Sequence, residues 1–268
     1  MQYKRVLTIA GSDPCGGAGI QADIKTISAC GCYAMSAITA IVDQNSLGVY
    51  GIHPVPTAFI RGQIKSVLDD YGTDAVKIGM LHSQEQIEAV CEVLANYPID
   101  NIVIDPVMVA TTGNPLLQEQ AFKGLQNNLL PLARIITPNI PEAEKLTGRS
   151  IDSENDMQDA AQILSFNGKT SVLLKGGHLD GNELVDILFN AETKETIEFR
   201  SLKTETKNTH GTGCTLSSAI ASFLAHGMTV TEAVTKAKAY ITEAIRQGAP
   251  YSTGHGHGPV HHFYDCWK

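Results

Sequence analysis

Short apolar runs alternate with helical stretches along most of this 268-residue chain, and this alternation restricts the possible folds more than any other feature. The runs at residues 5–10 and 34–42 have the length and composition of strands that are buried on both faces. Strands that alternate with helices predict a parallel sheet covered by helices on both sides. We therefore expect an α/β protein of the three-layer αβα type, with a mostly parallel sheet and a single domain over residues 1–268.

The same rhythm continues to the end of the chain. We predict further strands at residues 49–55, 75–78, 101–104, 134–136 and 171–174, and a hairpin formed by residues 184–189 and 196–199. The predicted helices are residues 20–29, 57–70, 84–96, 116–130, 141–146, 156–166, 215–225 and 231–246. Residues 43–46 are predicted as a polar loop. Residues 254–262 are predicted as a His-rich surface loop, for which a metal site is the alternative.

Charge and cysteine content exclude several classes of protein. The net charge of −8 argues against a general binder of nucleic acid or anionic membranes, because such proteins present a basic face. The six cysteines include no C-x-x-C pair, which favours a reduced, cytoplasmic compartment. Residues 1–5 lead into too few apolar residues for a signal peptide, and no apolar run approaches transmembrane length. We expect a cytoplasmic protein without nucleic-acid or membrane partners.

A glycine-bearing loop at residues 208–215, NTHGTGCT, runs into a predicted helix. A helix start has free N–H groups and a positive dipole end, which together favour an anion. Gly211 and Gly213 let a ligand approach the main chain, and Cys214 lies at the first turn, where thiols tend to have a lowered pKa. We predict that this loop holds a phosphate in transfer and that Cys214 faces the accepting group. The alternative is a helix start capped by Thr212, with Cys214 as an apolar filler.

Sites in open α/β sheets lie at the carboxyl ends of the strands. Asp105 and Lys175 each follow a predicted buried strand directly, and Asn139 and Glu142 flank the start of a short helix. Carboxylate and amide oxygens suit Mg²⁺, and a lysine ammonium suits a phosphate. The alternatives are a turn-capping acid for Asp105, a surface lysine for Lys175, and a plain capping box for Asn139 and Glu142.

Other residues at the same edge are candidates for recognising a ring. Gln44 follows the second strand, and its amide offers both a donor and an acceptor to the edge of an aminopyrimidine or pyridine. Asp23 lies one turn into the first helix, while Val42 and Met80 would supply apolar walls. Gly11 ends the first strand at the same edge. Ordinary core packing is the alternative for the apolar residues.

Residues 17–22, GAGIQA, also fit the glycine-rich dinucleotide fingerprint G-x-G-x-x-A. The segment follows a strand and opens a helix, and Asp43 lies about twenty residues further on, where an acid would bind a ribose. Against a dinucleotide site, five residues separate the strand from the fingerprint, and Asp13 would lie near a pyrophosphate.

Taken together, these segments resemble the ribokinase-like superfamily and, within it, the hydroxymethylpyrimidine and phosphomethylpyrimidine kinases of thiamine synthesis. The matching segments span residues 10–222, and the tail GHGHGPV also fits: AGSDPCGGAGIQADIK, QNSLGV, KIGML, IDPVMVATTG, TPNIPEAEKLTG, LLKGGH and THGTGCTLSSAIA. The ordered set covers nearly the whole chain, so it is far more specific than any one motif.

The resemblance implies a role for each matching residue. Gly211, Thr212 and Gly213 match the anion hole, and Cys214 matches the general base. Asn139 and Glu142, with Asp105, match a Mg²⁺ site, while Lys175 and Thr209 lie on the ATP side. Gln44 matches the pyrimidine-binding residue, with Asp23, Val42, Met80 and Gly11 around the ring.

The implied activity is transfer of phosphate from ATP, with Mg²⁺, to 4-amino-5-hydroxymethyl-2-methylpyrimidine and then to its monophosphate. The family also implies a homodimer. Three further functions stay open: a pyridoxine or pyridoxal kinase on the same fold, Cys-dependent acyl chemistry with His210 activating Cys214, and a non-catalytic vitamin sensor.

Overall fold

A nine-stranded sheet runs through the computed structural model, which describes residues 2–110, 113–166, 168–177 and 183–267. Its strand order is β3-β2-β1-β4-β5-β6-β7-β8-β9. The six central strands, from β2 to β7, are parallel, whereas β3, β8 and β9 pair antiparallel at the two edges. The strands are β1 Arg5–Ser12, β2 Tyr33–Asn45, β3 Gly48–Pro54, β4 Ala75–Ile78, β5 Ile102–Ile104, β6 Ile135–Ile136, β7 Ser171–Leu174, β8 Glu183–Asn190 and β9 Glu195–Leu202.

Helices cover both faces of the sheet. They are α1 Gly19–Ala29, α2 Thr57–Asp70, α3 Gln84–Leu94, α4 Phe122–Gly124, α5 Ile140–Thr147, α6 Glu154–Ile163, α7 Thr212–Ala225 and α8 Val230–Gly248. Along β1, Leu7 and Ile9 pack with α2, α3, α5 and α6, whereas Val6 packs on the opposite face with α1, α7 and α8. This alternation gives two apolar cores and confirms the predicted αβα layers. Within the described residues, no helix has the length and apolarity needed to cross a membrane.

The segment predicted as one helix over residues 116–130 is wrong in detail. It consists of a 3₁₀ turn, the single turn α4, a π-helical turn and a second 3₁₀ turn, ending at Leu132. The amides of Leu116 and Leu117 bond to the carbonyl of Met108, and the first helical turn begins only at Glu119. Pro131 has no N–H to continue the ladder at the other end.

Residues 43–46, predicted as a loop, mostly belong to a strand. Asp43, Gln44 and Asn45 extend β2 and pair antiparallel with β3, and a register irregularity lies between Asp43 and Gln44. The antiparallel partner satisfies the backbone of these polar residues, which a search for apolar runs does not detect. The hairpin therefore projects the Gln44 backbone beyond the parallel part of the sheet. Residues 111–112 and 178, which belong to the motif segments, lie outside the described residues.

Candidate active site

The start of α7 lies at the carboxyl edge of the sheet, close to the loop that follows β1. Gly211 is the N-cap with φ +80°, and a Cβ built there would lie 1.7 Å from the carbonyl oxygen of Gly17. Both observations require glycine at this position. The alternative interpretation, a helix start capped by Thr212, is wrong, because no side chain caps α7. The N–H groups of the first turn, which have no partner within the helix, therefore face the edge of the sheet.

Gly213 faces the two charged strand-end residues. A Cβ at Gly213 would lie 3.2 Å from Asp105 Oδ2 and 3.4 Å from Lys175 Nζ. Lys175 Nζ is 3.1 Å from Asp105 Oδ1, which also accepts a hydrogen bond from Thr137 Oγ1 at 3.1 Å. Burial disfavours the Lys175 ammonium, but Asp105 and Glu142 outweigh it and raise the pKa of Lys175. The Lys175 ammonium and the open start of α7 thus converge on one small space, bounded by Gly213, Asp105 and Lys175, which we call the anion space.

Asn139 and Glu142 form the capping box of α5. Asn139 Oδ1 accepts from the Glu142 amide, and Glu142 Oε2 accepts from the Asn139 amide, both at 2.9 Å. Glu142 is also buried beside Lys175 and Asp105, and burial raises its pKa to about 7. The interpretation as a capping box therefore describes the local geometry correctly. The oxygens of Asp105, which lies beside Glu142, are 3.2 and 3.9 Å from a Cβ built at Gly213.

Cys214 does not have the lowered pKa that its helix position predicts. Burial raises the pKa of the Cys214 thiol to about 11, although Lys77 and the Gly19 N–H act in the opposite direction. The prediction is wrong because loss of solvation outweighs the helix dipole and the nearby lysine. Cys214 is therefore a neutral thiol near pH 7.

The amides of the loop after β1 bind a carboxylate from the same loop, that of Asp13. Asp13 accepts hydrogen bonds from the amides of Cys15, Gly17 and Ala18 at 2.8–3.0 Å, and His210 Nε2 lies 2.8 Å from its Oδ2. Burial opposes ionisation of Asp13, but hydrogen bonds from the His210 and Gln44 side chains and from the Ala18 and Cys15 amides outweigh it and lower the pKa to about 2. The carboxylate occupies the place of a pyrophosphate, so the dinucleotide interpretation fails.

The same contact removes support for Cys-dependent acyl chemistry. His210 Nε2 pairs with Asp13, and its backbone N–H bonds to the carbonyl of Gly258 in the C-terminal segment. A nucleophilic Cys214 would need a base beside it and a lowered pKa, and the raised pKa contradicts this. The sequence interpretation missed the role of both Asp13 and His210. The signal in the sequence was that an acid, Asp13, and a histidine, His210, each lie beside one of the two glycine-bearing loops.

Three of the predicted ring contacts lie together. A Cβ at Gly11 would lie 3.0 Å from Met80 Sδ and 3.8 Å from Val42 Cγ2. Val42, Met80 and Leu116 form a small apolar cluster separate from the two main cores. Gln44 lies beside it, in a pocket that is lined in part by Val49, Ala110, His210 and His257. The structure thus brings an amide edge and apolar walls to one side of the anion space.

Asp23 is buried and engaged within the protein, which corrects its predicted contact with a ring. Its side chain is fully buried, and its oxygens pair with Lys77 Nζ at 2.8 Å and accept from Thr8 and Ser218. Both oxygens are engaged inside the protein, so neither is free for a ligand. The sequence interpretation missed Lys77. A lysine within the otherwise apolar strand β4 was the signal.

Thr209 directly follows Asn208, the last residue of a segment that lines another pocket. This pocket has a volume of about 320 Å³ and is lined by residues 205–208, Ala249 and residues 251–256. The Thr209 carbonyl accepts a hydrogen bond from the Thr212 amide at 3.3 Å, which fixes the loop between the pocket and Gly213.

Residues 13–261 match the phosphomethylpyrimidine kinase family. The chain belongs to this family. The match covers nearly all the site residues described above, including the Asp13 loop, both strand-end charges and the start of α7. The resemblance of the motif segments is therefore confirmed.

Named relatives agree with this assignment. The chain is 46% identical over 263 residues to a hydroxymethylpyrimidine/phosphomethylpyrimidine kinase of Rhizobium meliloti, covering 98% of each protein. It is 51% identical over 257 residues to a thiamine biosynthesis bifunctional protein of Geobacter sulfurreducens, which covers 96% of this chain but only 52% of that protein. Among solved structures, a pyridoxal kinase of Bacillus subtilis in an ADP complex is 38% identical, with a TM-score of 0.89 and 98% coverage of both chains.

Proposed function

We propose that this protein transfers the γ-phosphoryl group of ATP to the hydroxymethyl group of 4-amino-5-hydroxymethyl-2-methylpyrimidine, and then to the resulting monophosphate. The observation that carries the proposal is the convergence at Gly213 of an uncapped helix start, the Lys175 ammonium and an adjacent ring-sized apolar cluster. A phosphoryl group in transfer needs fixed positive charge and N–H donors, and a pyrimidine alcohol needs apolar walls with an amide at its edge. The names of the related kinases support the substrate.

The donor side follows from the position of the larger pocket. We place the nucleoside of ATP in the pocket lined by residues 205–208 and 251–256, with its phosphates passing Thr209 towards Gly213. Lys175 contributes a cation that its acidic neighbours keep protonated. The ADP complex of the related pyridoxal kinase supports a nucleotide as donor.

We propose that Asp105 and Glu142 would hold Mg²⁺. The donor set fits a cation bound mainly through water and phosphate oxygens, because Mg²⁺ commonly uses only one or two carboxylates. The raised pKa of Glu142 fits as well, since a carboxylate buried beside another acid gains from a cation. When bound, Mg²⁺ would neutralise charge on the phosphates. Asn139 orients Glu142 through the capping box.

The acceptor side uses Gln44, Val42, Met80 and Gly11. The Gln44 amide would pair with the amino group and ring nitrogen of the pyrimidine, while Val42 and Met80 contact its faces. The acceptor hydroxyl would then lie beside Cys214 and attack the phosphorus in line. Because the transition state is loose, positioning contributes more than proton removal by a thiol whose pKa is about 11. The second transfer requires the monophosphate to bind with its phosphate as the acceptor.

A substrate panel tests the proposal against its nearest competitor. The high structural similarity to a pyridoxal kinase makes pyridoxal and pyridoxine the second candidate substrates. The protein would be incubated with Mg·ATP and each alcohol, and products would be identified by mass. We expect mono- and diphosphate from the pyrimidine. A clear preference in kcat/KM for pyridoxal, with no pyrimidine diphosphate, would overturn the proposal. Turnover without ATP would instead indicate Cys-dependent acyl chemistry, and ligand binding without ATP use would indicate a vitamin sensor.

We also propose that the protein is a homodimer. Exposed apolar side chains on β2 and β3, among them Ile41 and Tyr50, would contribute to a contact between copies. Sedimentation equilibrium checks the expected twofold mass, and a mass equal to one chain of 28.7 kDa would contradict it.

A further inference from the structure

Lys77 is a fully buried lysine that ties together the elements beneath the anion space. Its ammonium lies 2.8 Å from both oxygens of Asp23. Asp23 in turn accepts hydrogen bonds from Thr8 Oγ1 at 2.6 Å and Ser218 Oγ at 2.8 Å. The cluster of Lys77, Asp23, Thr8 and Ser218 therefore joins β4, α1, β1 and α7. Ser218 lies one turn after Cys214, so the cluster fixes the first turns of α7 against the sheet.

Stability alone does not account for the buried ion pair of Lys77 and Asp23. Moving two charges out of water costs several kcal/mol per ion, and replacing a buried ion pair by apolar residues is often neutral or stabilising. Strand β4 has period-two alternation, with Val76 and Ile78 on one face, and an apolar residue at position 77 would continue the core on the other face with Ala75. A charged residue at position 77 therefore needs an explanation other than stability.

The charge of Lys77 is directed towards the site. The Lys77 ammonium acts electrostatically on Cys214 and on Asp105, and its effect on Cys214 is larger than the opposite effect of Asp23. The geometry agrees with this, because the Ser218 hydroxyl, one turn after Cys214, bonds to the carboxylate that holds the Lys77 ammonium. Asp23 holds the ammonium in place, and Gly79 gives it room, because a Cβ at Gly79 would lie 2.8 Å from Nζ.

We propose that Lys77, held by Asp23, is a positioning residue for phosphoryl transfer, which fixes the start of α7 and supplies positive potential from behind Cys214. This role rests on the proposed kinase activity. It differs from that of Lys175, which faces the anion space directly. Lys77 has no accessible surface, so it cannot contact a substrate directly.

The decisive variant removes both charges. In Lys77→Met/Asp23→Asn, the amide oxygen still accepts from one of the Thr8 and Ser218 hydroxyls, and the amide NH₂ can donate to the other once that hydroxyl turns. The variant leaves no unpaired buried ion, so it should fold where Lys77→Met alone fails. We expect kcat to fall about 10- to 100-fold, less than for a donor that contacts the oxyanion directly, with KM for ATP within about threefold. Arg5→Met/Asp74→Asn is the matched control, because that ion pair links the first residue of β1 to the residue before β4, at the end of these strands remote from the site. Its kcat should equal that of the wild type.

A second readout needs no substrate. Iodoacetamide alkylation at pH 9 would be followed by mass spectrometry at Cys214, with exposed Cys266 as the internal reference. The ratio of the Cys214 rate to the Cys266 rate should fall at least about threefold in Lys77→Met/Asp23→Asn, because less thiolate forms without the lysine. A purely structural cluster predicts unchanged kcat and an unchanged ratio, with only the melting temperature moved, and that result would overturn the inference. If the wild type makes no pyrimidine phosphate, the proposed function fails, whereas the alkylation ratio still tests the electrostatic effect of Lys77.

Discussion

Two helix starts meet at the same edge of this sheet, and they are used in opposite ways. Both α1 and α7 follow glycine-bearing loops, and both offer free N–H groups. The amides before α1 bind the carboxylate of Asp13, a residue of the same loop. No side chain caps α7, and its first turn faces Lys175 instead. A glycine pattern before a helix therefore does not by itself predict an anion site, because the chain can supply its own anion.

The largest effect is expected from filling the open helix start. In Gly213→Val, the added side chain would occupy the space 3.2 Å from Asp105 and 3.4 Å from Lys175. We expect kcat/KM to fall by at least about 10³, the loss that follows removal of key oxyanion contacts. Gly62→Val is a control for a glycine-to-valine change within a helix, because a Cβ there meets nothing within 4 Å. Normal turnover by Gly213→Val would show that the start of α7 does not hold the transferred phosphate.

Removing the thiol of the same helix start should have a smaller effect. We expect Cys214→Ala to lower kcat by about 10², at the low end for a general base, because the pKa near 11 leaves little thiolate at neutral pH. The KM for ATP should change little. Steady-state kinetics of both variants check the ranking. A complete loss in Cys214→Ala, with a mild effect of Gly213→Val, would show that base chemistry outweighs anion stabilisation.

Asp13→Asn removes the negative charge from the filled helix start. Because the native pKa of about 2 lies below the ordinary 3.8, the ionised carboxylate stabilises the protein above about pH 4, and this contribution is lost as the pH falls through 2. The shift corresponds to about 2 kcal/mol, so the melting temperature at pH 7 should fall by roughly 4–8 °C. Calorimetry at pH 7 and pH 2.5 checks this, and the difference between wild type and variant should shrink at the lower pH. An equal difference at both pH values would contradict the role of the carboxylate.

The start of α5 is a third helix start at this edge, and we expect the smallest effect from a substitution there. Glu142 caps α5 with its own carboxylate, but burial raises its pKa to about 7. A raised carboxyl pKa means that the folded protein binds the extra proton, so its stability should fall as pH rises from about 4.5 to 7. Glu142→Gln keeps a cap acceptor without a charge and should melt a few degrees above wild type at pH 8, but not at pH 4.5. If the difference in melting temperature between Glu142→Gln and wild type were the same at both pH values, the raised pKa of Glu142 would be contradicted.

The two helix starts also show how far sequence reasoning extends. The layers, the parallel sheet and strands such as β4 and β7 followed from apolar runs, because the period of a buried strand depends on local residues alone. The convergence of Gly213, Asp105 and Lys175 followed from the rule that parallel strands end at one edge. These predictions needed no knowledge of long-range contacts.

The errors have a common physical origin in contacts between distant parts of the chain. The Cys214 pKa depends on burial by other elements, and the position of Asp23 depends on Lys77, which lies 54 residues away. The occupation of the α1 start by Asp13 was partly visible, since the acid lies in the same loop. Its partner His210 is 197 residues away and could not be paired with it from local patterns.

A crystal structure with a non-hydrolysable ATP analogue and the pyrimidine alcohol tests the central claim most directly. We predict that the γ-phosphate lies within hydrogen-bond distance of the Gly213 N–H, with Lys175 beside it and the pyrimidine hydroxymethyl group in line near Cys214. The Asp13 carboxylate should remain on the amides of Gly17 and Ala18. A γ-phosphate bound at Gly17 and Ala18, with Asp13 displaced and the start of α7 empty, would contradict the claim that α7 holds the transferred phosphate.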